Sequence, residues 1–194
     1  ENTGIGSIVL DKNTTGSNNT AVGIAALYDN TTGGENVALG KNALANNTTA
    51  SNNTAVGKDA LTASTTANFN TAVGMEAGKS VTTGSQNTFL GFAAGDLNTS
   101  ASNNTAVGVN AMGANTTAND NTAVGHSALL SNTTGAINAA FGGYSLQDNT
   151  TGASNTAVGI SSLENNTTAD NNTALGYRSL YCNTTANNNV AVGS

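Results

Sequence analysis

The feature that most constrains the fold is a five-residue motif, seen as Asn53-Thr54-Ala55-Val56-Gly57, that returns at a constant interval. A unit of fixed length repeated without insertion or deletion is typical of a solenoid, in which like residues stack from coil to coil. The interval is seventeen residues and spans eleven steps, marked by the glycines Gly6, Gly23, Gly40, Gly57, Gly74, Gly91, Gly108, Gly125, Gly142, Gly159, Gly176 and Gly193.

We therefore interpret residues 1–194 as a single repeat domain of eleven 17-residue coils. The chain starts at Glu1 without Met and ends at Ser194, one residue after a repeat glycine, and we expect it to be a segment of a longer fibrous protein. The consensus is N-T-A-V-G-x-x-A-L-x-x-N-T-T-[GA]-x-x, whose residues we number as positions 1 to 17 of each coil.

Two apolar columns are predicted to be buried, and the alanine at position 3 is predicted to face a close neighbour, because only a small residue recurs there. The column at position 4 contains Val22, Leu39, Val56, Val73, Leu90, Val107, Val124, Phe141, Val158, Leu175 and Val192. The column at position 9 contains Leu10, Leu27, Leu44, Leu61, Gly78, Gly95, Met112, Leu129, Leu146, Leu163 and Leu180.

The short segments between glycines favour strands over helices. Thr-Ala-Val alternates in the manner of a strand, with Thr and Val on one face and Ala on the other. The following Gly ends the strand or allows close approach of another backbone, and Asn-Thr-Thr is a second candidate strand. The seven residues between the motifs are too few for a stable helix. The sequence predicts an all-β, parallel β-solenoid.

An unbroken asparagine column predicts a ladder, in which each side-chain amide donates to one neighbouring coil and accepts from the other. Asn also tolerates the left-handed backbone that corners require. The ladder residues are Asn19, Asn36, Asn53, Asn70, Asn87, Asn104, Asn121, Asn138, Asn155, Asn172 and Asn189. A second unbroken column, our candidate for an ice-facing or receptor-facing surface, contains Thr14, Thr31, Thr48, Thr65, Thr82, Thr99, Thr116, Thr133, Thr150, Thr167 and Thr184.

One coil cannot be stable alone. Two large apolar side chains contribute ~1.5–3 kcal/mol each, whereas ordering the backbone costs ~1 kcal/mol per residue. Stacking between coils must supply the difference, and the thin core favours burial against other chains. We therefore expect a homo-oligomer, with the alanine column at position 3 as a tight seam between chains.

The fourth to sixth repeats depart from the consensus, because Gly78 and Gly95 leave position 9 without a side chain. We expect nearby bulky residues to fill that volume, and the alternative is a local bulge. The candidates are Met75, Phe89, Phe92 and Leu97.

Composition excludes several functions. The net charge is −6 with only five Lys or Arg, so nucleic acid is not an expected partner. No apolar run is long enough for a membrane helix. Cys182 is the only cysteine. His126 is the only histidine, and we expect it to be a solvent-facing corner residue. The acidic residues recur in no column. We therefore predict no enzyme, no metal site and no cofactor.

Asn-x-Thr and Asn-x-Ser sequons are abundant, and nine of them, in which the Asn precedes Thr-Thr or Thr-Ser, could carry a row of glycans in a secreted eukaryotic protein. The alternative, which we favour, is that Asn-Thr-Thr is what the corner of each coil requires. These asparagines are Asn13, Asn30, Asn47, Asn98, Asn115, Asn132, Asn149, Asn166 and Asn183.

The motifs Val37–Gly40 and Val190–Gly193, each preceded by Asn, resemble the head repeats of YadA-like trimeric autotransporter adhesins. The Thr-Ala-Val-Gly-x-x-Ala-Leu version is similar to repeats of phage tail fibres. The resemblance implies a trimeric, left-handed parallel β-roll that is exposed on a cell or virion surface. It also implies attachment to a host-surface receptor or glycan.

Three functions follow as hypotheses. The first is a structural and adhesive segment of an extracellular fibre: an adhesin, a filament or a phage tail fibre. The second is an ice-binding solenoid that uses its Thr and Asn ladders, although adjacent Thr residues on a strand face opposite ways. The third is a carbohydrate-active β-helix, for which Tyr177, Arg178 and Tyr181 form the only suggestive cluster, with Asp170 as the nearest acid in sequence.

Overall fold

The computed structural model describes all residues, 1–194, and shows a β-solenoid that contains no helix. Each coil starts at the Asn of position 1, so that coil 1 begins at Asn2 and coil 11 ends at Asn188. Every coil contributes one three-residue strand to a single sheet, and the residues after coil 11 add a twelfth strand. The strands are β1 (Thr3–Ile5), β2 (Thr20–Val22), β3 (Val37–Leu39), β4 (Thr54–Val56), β5 (Thr71–Val73), β6 (Thr88–Leu90), β7 (Thr105–Val107), β8 (Thr122–Val124), β9 (Ala139–Phe141), β10 (Thr156–Val158), β11 (Thr173–Leu175) and β12 (Val190–Val192).

The sheet is parallel, and its strand order follows the sequence from β1 to β12. Each strand residue pairs with the residue seventeen positions along, as in Thr54 with Thr71 and Val56 with Val73. The larger side chain of Phe89 does not shift this register, because Phe89 pairs with Ala72 and Ala106. The predicted solenoid and its coil length are confirmed.

The second predicted strand is wrong. Asn-Thr-Thr forms bends, although its backbone still bonds to the next coil, as when the amides of Thr31 and Thr32 both donate to the carbonyl of Thr48. Of 130 backbone hydrogen bonds, 108 lie outside the regular strand pairing, so turns and bends hold most of the stack together. A three-residue bend supplies these bonds without the flat geometry that a strand needs.

The valine column at position 4 is not in the core, which corrects the prediction. Its larger members are well exposed, with Leu39 at 38% and Leu90 at 46%. The buried strand residue is the alanine at position 3, which is fully buried in coils 2 to 11 where Ala or Phe stands there. The interior beside the strand is narrow because it is shared with the alanine of position 8 and the leucine of position 9, such as Ala60 and Leu61.

The alanine column is therefore no seam between chains. Ala38, Ala55 and Ala72 have no exposed surface and belong to the core of their own chain. They need to be small because the opposite wall of the same coil lies against them. The leucine column at position 9 is buried as predicted.

Phe89 fills the space that the two glycines at position 9 leave open. Its side chain is fully buried in the core cluster. A Cβ at Gly95 would lie 2.3 Å from Cε1 of Phe89, and one at Gly78 would lie 2.7 Å from its Cδ2. The expected refilling is confirmed for Phe89 alone. It is wrong for the other three candidates, which are exposed: Met75, Phe92 and Leu97.

Left-handed backbone occurs at positions 7, 9 and 17 of each coil, as at Asp59, Leu61 and Asn52. The ladder asparagine of position 1 has no such conformation, so its recurrence is explained by hydrogen bonding alone. The glycine of position 5 is required for both predicted reasons. Gly57 has a φ of +137° and a Cβ there would lie 2.4 Å from the carbonyl oxygen of Gly74.

Candidate interaction surfaces

The asparagines of position 1 form a continuous buried ladder, which confirms the prediction. Oδ1 of Asn19 accepts the backbone N–H of Asn36 at 3.0 Å and its Nδ2 at 3.1 Å. Nδ2 of Asn36 also donates to the carbonyl of Ala50 in its own coil, at 2.9 Å. The ladder begins one coil earlier than the sequence indicated, because Asn2 accepts from the backbone of Asn19. These residues clamp each coil to its predecessor and are not available to a ligand.

A second asparagine ladder lies at position 12. Its members are the asparagines that we considered above as glycosylation sequons. Nδ2 of Asn47 donates to Oδ1 of Asn30 at 2.7 Å and to the carbonyl of Ala50 at 3.0 Å. That carbonyl therefore accepts both Asn47 and the position-1 residue Asn36. The sequon asparagines from Asn30 to Asn166 are fully buried, so a glycan on them is incompatible with the folded coil.

This second ladder is interrupted in the irregular repeats, where position 12 holds Ser64 and Val81. Both side-chain polar atoms of Asn98 are buried without a partner, and so are Oγ of Ser64 and Oδ1 of Asn47. The cause is the loss of two consecutive amides, which leaves the ladder residues on either side without a neighbour. Buried polar atoms in this state cost free energy.

The threonines of position 13, predicted to face ice or a receptor, use their hydroxyl hydrogens within the protein. Oγ1 of Thr31 donates to the carbonyl of Thr48 at 2.8 Å, and Thr48 donates likewise to Thr65 at 3.0 Å. These residues are half-buried in the interior coils, whereas the next threonine, as in Thr32 and Thr49, is exposed in every coil. This exposed column is position 14. It also repeats in the sequence, but the surface was predicted at position 13 instead. Position 14 contains Thr15, Thr32, Thr49, Thr66, Thr83, Ser100, Thr117, Thr134, Thr151, Thr168 and Thr185.

The largest regular surface is the outward side of the sheet, formed by positions 2 and 4 of all twelve strands, which we name the outer strand face. It contains Thr, Val, Leu, Ile, Phe and Ala and no charged residue. Its larger apolar members are exposed, as in Phe141 at 42% and Leu175 at 47%, and the valines of the interior coils are half-buried. The sequence indicated that Thr and Val share a face, but placed that face inside the coil.

The basic residues are confined to positions 6 to 11, on the turn that follows each strand. Three of the five form ion pairs there. Nζ of Lys12 lies 2.6 Å from Asp29, and the hydrogen bond to that carboxylate raises the pKa of Lys12. Nζ of Lys58 lies 3.1 Å from Asp59, and Nζ of Lys79 lies 3.6 Å from Glu76.

Two carboxylates on this turn have shifted pKa values of opposite sign. Burial by itself would raise the pKa of Asp59, but hydrogen bonds from Asn42 and Lys58 outweigh it and hold the pKa below its ordinary value. Burial raises the pKa of Asp96, and the charge of Glu76 adds to the effect. Neither carboxylate has a nucleophile or histidine beside it, so the shifts describe local stability.

Aromatic side chains gather on the same turn towards the carboxyl end. The rings of His126 and Tyr144 meet edge to face, with centroids 5.1 Å apart. The guanidinium of Arg178 lies 5.4 Å from the ring of Tyr177 and 4.9 Å from that of Tyr181. The cluster noted in the sequence is therefore real in space.

The lone cysteine and the lone histidine both lie on the surface. Cys182 is exposed and unpaired, and His126 is exposed as expected. The surface carries no pocket, and no three His, Cys, Asp or Glu side chains are grouped to hold a metal ion. No helix is present that is long and apolar enough to cross a membrane.

Fold and surfaces together define a parallel β-solenoid with polar side-chain ladders inside and an uncharged sheet face outside. Comparison with known proteins adds no family to this class: no family model matches the chain, and neither a curated protein nor a solved structure shows significant similarity to it.

Proposed function

We propose that this chain is a structural and adhesive segment of an extracellular fibre, such as a surface adhesin, filament or phage tail fibre. Copies associate side by side through the outer strand face. The observation that carries the proposal is the combination of exposure and absent charge over the whole length of that face. Charged residues are depleted from the centres of protein interfaces, because burying an unpaired charge is costly.

The outer strand face alone is smaller than a standard interface, and exposed residues beside it would enlarge the contact. Twelve strands at ~4.8 Å spacing give a length of about 53 Å. With a width of about 10 Å, the face covers about 500 Å² per chain, at the upper end of the apolar patches found on monomers. A stable interface buries about 800 Å² per partner. The exposed residues that follow the position-5 glycine, such as Ile24, Phe92 and Ile160, adjoin the face and would extend it.

Symmetry favours a parallel arrangement of copies. A face that repeats every coil has the same spacing in every copy, so parallel chains can match coil to coil along their full length. The motif resemblance to adhesin heads supports three chains, left-handed winding and a location on a cell or virion surface. No catalytic step belongs to the proposal.

Light scattering coupled to gel filtration tests the assembly. We expect a mass of three chains for the purified protein and rods of constant width in electron micrographs. Val107→Asp with Val124→Asp places charges on the outer strand face, and should give monomers at the same concentration. The matched control, Thr117→Asp with Thr134→Asp, adds the same charges to the exposed position-14 column of the same coils and should leave the mass unchanged.

A monomeric wild-type protein at about 0.1 mM would overturn side-by-side association, since the face is then free in solution despite its size. A multimer that survives the two Val→Asp changes would show that another surface holds the copies together. Both outcomes are distinguished from misfolding by the far-ultraviolet circular dichroism of each variant.

Ice binding is a second candidate, favoured by one observation. Position 14 presents an exposed Thr or Ser in each of eleven coils, at a spacing of ~4.8 Å set by the stack. The neighbouring hydroxyls of position 13 donate to backbone carbonyls, which fixes their orientation. A regular rank of hydroxyls of this kind can order water.

Thermal hysteresis decides this second candidate. If position 14 binds ice, hysteresis should be measurable at millimolar protein, and Thr49→Lys with Thr66→Lys should reduce it strongly. The same substitutions on the outer strand face, Thr54→Lys with Thr71→Lys, serve as the control. Absence of both hysteresis and crystal shaping removes ice binding.

A further inference from the structure

The surface least explained by a stacked fibre is the aromatic ridge, which we define as His126, Tyr144, Tyr177, Arg178 and Tyr181. These residues lie on the turn after the strand in coils 8, 9 and 11. The other coils place no ring at the same positions, apart from Tyr28 and Phe92. Tyr144 and Tyr177 are 43% and 55% exposed, and together with His126 and Tyr181 they form a group rather than single scattered rings.

The backbone aligns the ridge residues from coil to coil. The amide of Tyr144 donates to the carbonyl of His126 at 2.9 Å, and the amide of Arg178 donates to that of Ile160 at 3.0 Å. Successive coils therefore place positions 6 and 7 in a straight double row, in which Ile160 and Ser161 of coil 10 lie between Tyr144 and Tyr177. From His126 to Tyr177 the row spans three coil spacings, about 14 Å.

Arg178 is the charged centre of the ridge. Its guanidinium stacks on the rings of Tyr177 and Tyr181 and forms no ion pair, although the protein has an excess of acids. Stacking holds the planar group in place, so less entropy is lost when it binds a carboxylate through two hydrogen bonds. The ridge thus offers flat rings and one oriented, unneutralised cation.

The geometry points to an acidic oligosaccharide, a chain of uronic acids, as the ligand of the ridge. Tyr144 and Tyr177 would cover the apolar faces of sugar rings, and Arg178 would bind a carboxylate. The row is straight and has no pocket, which suits the flat face of a sugar better than the anchoring side chain of a peptide. A single cation suits a ligand with sparse carboxylates, whereas a nucleic acid, with its dense charge, requires several.

This inference names the ligand class for the adhesive part of the proposed function and rests on that function for its biological setting. His126 and Tyr177 occupy position 6, which adjoins the outer strand face, so binding is measured both on the wild-type protein and on the Val107→Asp with Val124→Asp variant, in which that face is free. A chain that binds sugar but forms no rods would refute the fibre and keep the ridge. Rods that bind no sugar would do the reverse.

Titration with a hexamer of galacturonic acid, followed by nuclear magnetic resonance, tests the ridge. The ring of His126 is the only histidine signal and lies against Tyr144, so it reports local binding. We expect saturable shifts of that signal with a dissociation constant below about 1 mM. Maltohexaose, a neutral hexamer, should bind at least about tenfold more weakly, a difference of ~1.4 kcal/mol.

Variants separate the roles of the ridge residues. Tyr177→Ala should weaken hexagalacturonate binding about tenfold or more, and Arg178→Gln should abolish the preference for the acidic over the neutral hexamer. Tyr28→Ala is the matched control, because Tyr28 also lies beside a cation, Lys12, but nine coils away from Arg178. It should leave binding unchanged.

Three results would overturn the inference. One is the absence of any shift of the His126 signal at about 10 mM hexagalacturonate, a concentration about ten times the upper limit expected for the dissociation constant. Another is an equal loss of affinity in Tyr28→Ala. The third is equal binding of hexaglutamate, which would show that the ridge recognises carboxylates without regard to sugar.

Discussion

Phe89 and the two glycines that face it should behave as one unit of exchanged volume. In the other coils position 3 is small and position 9 is large, whereas here Phe89 occupies position 3 and Gly78 and Gly95 leave position 9 empty. The backbone is the same in both arrangements: φ is +57° and +60° at these glycines and +49° at Leu61. A leucine can therefore adopt the local conformation, and only the ring of Phe89 opposes it.

Each half of the exchange should be destabilising alone. Phe89→Ala removes a fully buried ring and should cost ~3–5 kcal/mol of unfolding free energy. Gly78→Leu with Gly95→Leu forces side chains into atoms 2.3 to 2.7 Å away, and overpacking costs ~1–3 kcal/mol per site, so about 2–6 kcal/mol for the pair.

Combining all three changes restores the consensus coil. Two buried leucines contribute ~1.5–3 kcal/mol each, which offsets the lost ring. We expect the unfolding free energy of the triple variant to lie within about 2 kcal/mol of the wild-type value. It should be well above that of Phe89→Ala and that of the double Gly→Leu variant, a positive coupling of the kind seen between contacting residues.

Urea unfolding followed by far-ultraviolet circular dichroism measures these differences, with the slope of each transition compared between variants. Phe92→Ala in the same coil is the control, because Phe92 is 43% exposed and should change stability by less than ~1 kcal/mol. If the triple variant is no more stable than its weaker parent, then the ring and the glycines do not share one volume and the reasoning fails.

Three further predictions rest on other parts of the coil. Asn132→Ala should cost ~1–3 kcal/mol in urea unfolding, because it breaks the position-12 ladder, whereas Asn98→Ala should cost measurably less, because neither polar atom of that amide has a partner; equal losses would contradict this. Asp96→Asn should stabilise the protein at pH 7, because burial raises the pKa of Asp96 and so penalises its charged form. The gain in stability should vanish as the pH falls below that pKa, where Asp96 is protonated. A gain that persists at pH 2 would argue for another cause. A spin label on the exposed thiol of Cys182 should give one interchain distance without axial offset in a parallel assembly, whereas antiparallel chains would separate the labels by ten coil spacings, about 48 Å.

The ladders show how far repetition in sequence can be converted into contacts. A constant period requires that equivalent residues stack. The Asn column could therefore be predicted to form hydrogen bonds between coils from the sequence alone. The sequence did not indicate which carbonyl each side-chain amide donates to. That Asn36 and Asn47 share one acceptor, the carbonyl of Ala50, depends on how the backbone turns between positions 12 and 1.

The interaction surfaces were harder to predict because residue type does not specify exposure in a thin fold. Position 14 repeats as faithfully as position 13, and only the bend between them places Thr32 outside while the hydroxyl of Thr31 is bonded to the next coil. The aromatic ridge was recognisable only in part, since Tyr144 and Tyr177 are thirty-three residues apart in the sequence. Stacking of coils brings their positions into one row.

The sequence by itself determined the period, the parallel register and the identity of the stacked columns, because a seventeen-residue unit without insertions admits only one alignment of coil on coil. Tertiary structure alone decided which columns face inward. Alternation along a strand groups Thr54 with Val56 against Ala55 but does not say which group is inside. The width of the coil decides: opposite walls supply Ala60 and Leu61 to the same narrow interior, so the small residue is buried and the valine is left on the surface.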